Sequence, residues 1–208
     1  MQIDSKTISK IVSKILSQKY SISSVDIPNI DLYMDQVTTF MDTHFHETKR
    51  YSEDKILTKT MINNYTKNHL LPAPDRKKYS KEHMLVLIFI YQLKNVLSIK
   101  DIETLLQPLT EHFFHNQNQN ALAEVYDMLS SLEKERTSQI ETEINDLYSL
   151  ALSTLQDTEA VSSDHEFLKL FTFIHLLNFD ISMKKQIIEK LIDSLSETTT
   201  SSSKDRND

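Results

Sequence analysis

Between Thr58 and Lys100 the chain sets eight cations, Lys59, Lys67, Arg76, Lys77, Lys78, Lys81, Lys94 and Lys100, against two acids, Asp75 and Glu82. The segment carries +6 in a chain of net charge −7, which leaves −13 on the remainder. Cations at this density can neutralise the phosphates of a polyanion and release its counterions, while the acidic remainder is repelled from a duplex and orients the approach. The plainer reading is a solvated charge cluster. Thr60, Asn63, Asn64 and Tyr65 lie among the first of these cations and Tyr79 among the later ones, so hydrogen-bonding and aromatic groups share the stretch.

The histidines suggest other chemistry. In "HFHE", His44 and His46 fall on different helical faces beside Glu47, and a shared metal is not expected. His112 and His115 are three apart, a spacing that can hold a metal on one helical face. No second ligand pair accompanies them, so surface or interfacial histidines sensitive to pH are the plainer reading. Serines and acids are abundant, yet their spacing supplies no set of nucleophile, base and orienting group. No enzyme activity, metal or cofactor is expected.

These groups must be positioned by a chain of 208 residues that has neither cysteine nor glycine. Without cysteine there are no disulfides, thiolate nucleophiles, zinc fingers or redox motifs. Without glycine, the loops that bring backbone close to a nucleotide phosphate are closed off, and hairpin turns lose their preferred residue at positive φ. A hydrophobic content of 39% excludes extreme disorder. Helices joined by Asn, Asp, Ser and Pro turns are the natural solution. No charged start leads into an apolar run, so no signal peptide is expected. The longest apolar run, Met84 to Tyr91, is far short of the roughly 20 residues that cross a bilayer. A soluble, cytoplasmic protein with no membrane partner is expected.

Hydrophobic spacing then orders the elements. Ile8, Ile11, Val12, Ile15, Leu16 and Tyr20 form one face of an amphipathic helix over residues 3–20, read as docking onto protein. "SSVDIPNID" breaks the pattern, which resumes from Leu32 to Phe45. Thr58 is expected to cap a short helix, Lys59 to Asn68, with Met61, Ile62 and Tyr65 inward and Lys59, Asn63, Asn64 and Lys67 outward. Pro72 and Pro74 constrain the loop "LLPAPDRKKY". Ser80 caps the central core helix, and Ser98 with Asp101 caps the next. Beyond "HNQNQNA", residues 115–121, a long helix with coiled-coil character runs from Leu122 to Leu155. Ser163 with Glu166 starts a helix through Leu177, and Ser182 starts a last one through Leu195. The domains expected are 1–24, an amphipathic helix; 25–115, the basic helical domain; 116–195, a helical domain; and 196–208, a disordered tail.

The blocks "TMINNYTK", "LLPAPDR", "KKYSKEH", "LIFIYQLK" and "LSIKDIETLL" resemble the winged helix-turn-helix of MerR-type transcription regulators. They are also similar to a bacterial family described only as a domain of unknown function and built around "LTKTMINNYTK". The resemblance covers roughly residues 27–106. The usual glycine before the double leucine is His69, preceded by Asn68, so the turn must use the left-handed tolerance of Asn or His. Asn63 replaces an arginine beside the recognition aromatic, and the wing shortens to "PAPDRKKY".

The resemblance implies a mainly helical, all-α fold: a MerR-like winged helix-turn-helix with a minimal wing, followed by a helical C-terminal bundle or coiled coil. It implies a dimeric transcription regulator that binds double-stranded DNA, with a small-molecule effector of unknown identity. Lys59 to Lys67 would lie in a major groove, where Asn63 and Asn64 read adenine edges. Arg76, Lys77, Lys78 and Lys81 would grip the backbone. Lys59, Thr60, Lys67 and Tyr79 complete the DNA-binding set, together with Tyr65, a ring more often core than contact whose hydroxyl can still reach a phosphate. The long helix would be the homodimer seam; alternatively its stripe packs on Phe167, Leu170, Phe171, Ile174 and Leu177 of its own chain. The competing reading is a helical adaptor that binds an acidic partner through the basic loop.

Overall fold

With no glycine and four prolines, little in this chain stops a helix once it has started. The computed structural model describes residues 5–18, 20–114, 120–154 and 165–204. Among them seven α-helices and two short strands follow in the order α1 (Ser5–Leu16), β1 (Leu32–Tyr33), α2 (Met34–Phe45), α3 (Lys59–Lys67), β2 (Lys78–Tyr79), α4 (Lys81–Leu93), α5 (Ile99–Phe113), α6 (Ala121–Thr154) and α7 (His165–Lys204). The protein is thus mainly helical, with one small antiparallel sheet in which Leu32 pairs with Tyr79 and Tyr33 with Lys78. None of the described helices is long and apolar enough to cross a membrane.

Contacts divide the chain into two units, Lys19–Ser131 with Ile188–Asp208, and Met1–Gln18 with Leu132–Ile187. The first is built around α4. Its residues from His83 to Tyr91 are all buried, as a helix apolar on every side must be. Val37, Met41 and Phe45 of α2, Ile62 and Tyr65 of α3, and Ile102 and Leu106 of α5 complete this core. Leu122, Ala123 and Tyr126 of α6 also belong to it, so the unit runs on past residue 115, where a boundary was expected; residues 115–119 themselves lie outside the described residues. Polar tethers fasten the segment before β1 to α6. Ile22 N–H donates to the Tyr126 hydroxyl (3.1 Å), and Ser24 gives its N–H and hydroxyl to the two Asp127 carboxylate oxygens (2.9 and 2.5 Å).

In the second unit α1 buries Ile8 and Val12 with Tyr148 and Ala151 of α6 and Phe173 of α7. Tyr148 and Phe173 meet edge to face at 5.2 Å. The amphipathic first segment therefore docks onto protein, although Ile11 and Ile15 stay exposed.

Two expectations are corrected. Ser182 does not start a new helix, because its hydroxyl donates back to the Asn178 carbonyl (2.8 Å). That bond is satisfied inside a helix, so α7 continues unbroken. The polar end from Ser196, expected to be disordered, continues the same helix to Lys204; residues 205–208, and the Ser163 capping position, lie outside the described residues.

Three core tyrosines give this architecture a pH signature. Burial raises the hydroxyl pKa of Tyr65 and Tyr79, and of Tyr91 most strongly through burial too. A raised folded pKa means that the folded state holds its proton where the unfolded chain releases it. The stability these groups contribute is complete below pH 10 and lost as pH climbs through the raised values. In an alkaline titration the tyrosinate absorbance of these three should rise only together with the loss of helical circular dichroism; tyrosinate formation by all eight tyrosines with the helix signal intact would contradict their burial.

Candidate functional site

The short helix α3 is held by one apolar side. Thr58 has extended φ/ψ and its hydroxyl accepts the Met61 N–H (3.2 Å), which fixes the first turn. Ile62 and Tyr65 are buried, while Lys59, Thr60, Asn63, Asn64 and Lys67 are exposed. Asn63 and Asn64 make no side-chain hydrogen bond among the described residues, so two side-chain amides face solvent with their donors and acceptors unspent. Lys59 pairs with Asp35 of α2, both well exposed; such surface pairs hold about 1 kcal/mol or less and yield to a stronger anion.

The end of α3 solves the missing-glycine problem as expected. His69 adopts φ 59°, its N–H donates to the Thr66 carbonyl (3.2 Å), and Leu70 N–H donates to the Tyr65 carbonyl (2.9 Å). This is a Schellman cap, with buried Leu70 beside Tyr65 as its apolar closure. Leu71 is buried as well, so the double leucine anchors the chain where it leaves the helix.

The basic loop is a tight reverse turn. Asp75 and Lys78 form a bridge, Lys78 N–H donates to the Asp75 carbonyl (2.8 Å), and the two residues between, Arg76 and Lys77, have φ of 46° and 65°. Positive φ at both central positions is the signature of a type I′ turn, which favours Asn-Gly. Side chains with a Cβ cost roughly 1–2 kcal/mol each there. The strained turn holds both cations at its exposed tip. Lys78 lies over the Tyr33 ring at 5.5 Å, across the two-stranded sheet. Both strands and α3 pack against α2, so one helix positions the exposed amides and the basic turn.

His83 secures the base of the loop. Its Nδ1 accepts the Ser80 N–H (3.0 Å), and its Nε2 lies 3.4 Å from the Ala73 carbonyl, between the two prolines. The ring sits edge-on to Tyr79 and Phe114. Tyr65 and Tyr79, expected in the contact set, are core residues at 6% and 3% exposure, because each lies on the inward side of its element. Lys81 is half-buried in the first turn of α4. Lys94 turns away to the segment before α3, where its ammonium donates to the Ile56 carbonyl (2.6 Å).

The turn separates fold strain from charge. Replacing Arg76→Asn and Lys77→Gly together should stabilise the protein by about 1–2 kcal/mol while removing two exposed cations. Denaturant unfolding checks this; a loss of stability would show that the two long side chains hold the turn.

His46 and His112 are occupied locally. His46 Nδ1 lies 2.9 Å from the Thr43 carbonyl and His112 Nδ1 lies 2.7 Å from that of Pro108; His115 lies outside the described residues. No group of three potential metal ligands occurs among the described residues.

The site thus belongs to a mainly helical unit whose small antiparallel sheet fits a wing beside a short, capped helix. The chain belongs to the domain of unknown function family DUF1836, whose profile matches residues 22–129. That match spans α2 to the start of α6 and establishes no relationship to MerR-type regulators. Neither curated proteins nor solved structures give a match to the chain.

Proposed function

We propose that the protein is a sequence-specific, DNA-binding transcription regulator of the MerR-like helix-turn-helix class. The observation that carries this reading is the exposed side of α3, where the side chains of Asn63 and Asn64 have no hydrogen-bond partners among the described residues while Ile62 and Tyr65 anchor the opposite side. Amides so placed match the paired donor and acceptor of an adenine edge. Arg76 and Lys77 on the strained turn, with Lys78 behind them, supply the phosphate contacts that orient the helix. A backbone conformation maintained against its intrinsic preference is a mark of functional loops.

The regulator acts as a homodimer. Support comes from α7, where Phe167, Phe171, Ile174 and Ile181 are each more than half exposed and follow one another at intervals of four, three and seven residues, the pattern of a helix seam. The seam expected on α6 is divided instead: Leu122 and Tyr126 are used in one core, Tyr148 and Ala151 in the other, and Leu129 and Leu132 between them are exposed. Of the intramolecular partners expected for that stripe, Leu177 packs there, while Phe173 and Leu176 take the places of Phe167, Phe171 and Ile174.

Anisotropy titrations of a mixed-sequence duplex test the electrostatic part. With about four phosphate contacts per protomer, about eight per dimer, affinity should fall roughly 10⁴-fold between 50 and 200 mM salt. No binding, or binding indifferent to salt, would remove the reading and favour an adaptor for an acidic protein.

A further inference from the structure

A second concentration of positive charge lies outside that surface. The segment from Thr48 to Ile56 and the end of α4 enclose a cavity of about 340 Å³, at the lower end of the size of small-ligand clefts. Lys49, Arg50, Lys55 and Lys94 line it, with Asn95 as an uncharged donor, against the single carboxylate of Asp54. Lys49 is committed to Asp42 (2.5 Å), and Asp54 accepts the Tyr51 N–H (3.0 Å), which shapes the loop. Arg50, Lys55 and Lys94 have no carboxylate partner among the described residues. Arg50 lies over the Tyr51 ring at 5.2 Å and Lys94 over the Tyr91 ring at 4.9 Å, contacts that hold the cations without neutralising them. Burial also lowers the Lys94 ammonium pKa.

Lys94 is half-buried without a counter-charge, and Arg50 and Lys55 at the rim add like charge beside it; an anion that enters offsets both. A lone carboxylate would answer one of the three. A phosphate group offers two negative charges and oxygens spaced for the arginine fork. We infer that this cavity binds a small, multiply charged phosphate-bearing molecule. Thr48 donates its hydroxyl to the Phe45 carbonyl and accepts that of Tyr91, a closed pair that shapes the wall and leaves the cations to meet the phosphate oxygens. Lys55 and Ile56 run directly into Thr58, the cap of α3, so occupation of the cavity bears on the segment that starts this helix.

The test uses the full chain, with pyrophosphate as probe and acetate as the monoanion control, by calorimetry at constant ionic strength. Pyrophosphate should bind and raise the Tm, and acetate should do neither. Lys55→Met and Arg50→Met, at exposed positions where folding is preserved, should each weaken pyrophosphate at least 10-fold, while Lys77→Met on the turn leaves it unchanged. Saturation with a duplex should not displace the probe. Absence of pyrophosphate binding, or binding that depends on Lys77 but not on Lys55 and Arg50, overturns the inference. Displacement by duplex, with equal losses of duplex and pyrophosphate affinity in Lys55→Met, would make the cavity a contact for nucleic-acid phosphate and overturn it too. Because the pyrophosphate arm involves no DNA, its outcome is independent of the regulator reading.

Discussion

Charge reversal at Lys77→Glu and Lys78→Glu should weaken every duplex alike, by at least 100-fold at 100 mM salt, and lower the salt slope by about one for each lost contact. Asn63→Ala and Asn64→Ala should behave differently: each should cost about 1–3 kcal/mol on the preferred sequence, relax the preference at particular base pairs, and leave the salt slope intact. The contrast follows from where the residues stand. Lys77 occupies the tip of a turn closed by Asp75 and Lys78, where a charge can meet the backbone of any sequence. Asn63 and Asn64 project from a helix fixed at both ends by Thr58 and His69, so their amides present a defined geometry that only a matching base edge completes. Competition binding with base-pair variants separates the two effects. If both pairs of substitutions weaken all duplexes equally, the asparagines do not read bases; if neither affects binding, the contact surface lies elsewhere.

The largest effect on stability is expected at His83. His83→Ala leaves the Ser80 N–H and the Ala73 carbonyl without their present partner and opens a void against Tyr79 and Phe114. The half-buried Ser80 N–H left unmet costs toward the low end of roughly 1–3 kcal/mol and the lost packing of the buried ring adds to it, so unfolding should become easier by about 2–3 kcal/mol. His83→Gln should recover a good part of this, because glutamine at the third helical position can accept the cap N–H in the same way. Denaturant unfolding of both variants checks the assignment. Equal losses would mean that ring packing, and not the reciprocal cap, is what His83 contributes.

Much of the site was legible because its determinants are local. Thr58, Ser80 and Ser98 could be read as caps since each acts on residues three positions away. The left-handed residue after α3 could be placed at Asn68 or His69 because the resemblance to MerR-type regulators puts a glycine before the double leucine and this chain has none. Arg76 and Lys77 carry no such mark: neither residue type favours positive φ, and only the pairing of Asp75 with Lys78 reveals the turn. Ser182 could serve equally as a cap or as an interior residue, and its bond to the Asn178 carbonyl marks the second. The Ser24–Asp127 tether joins residues 103 apart, and the cationic cavity gathers Lys94 with residues from the segment after α2. Neither leaves a periodic signal. The stripe on α6 was visible as a stripe, but which of its residues each core would use depends on α4, α1 and α7.

Selection of bound sequences from a random duplex library by the purified full chain tests the central claim most directly. The result expected is an enriched inverted repeat whose affinity exceeds that of a scrambled control and falls steeply with salt, and whose preference is relaxed by Asn63→Ala. No enrichment, with equal or absent binding to both duplexes, would contradict DNA recognition by α3 and leave the basic turn to an acidic protein partner.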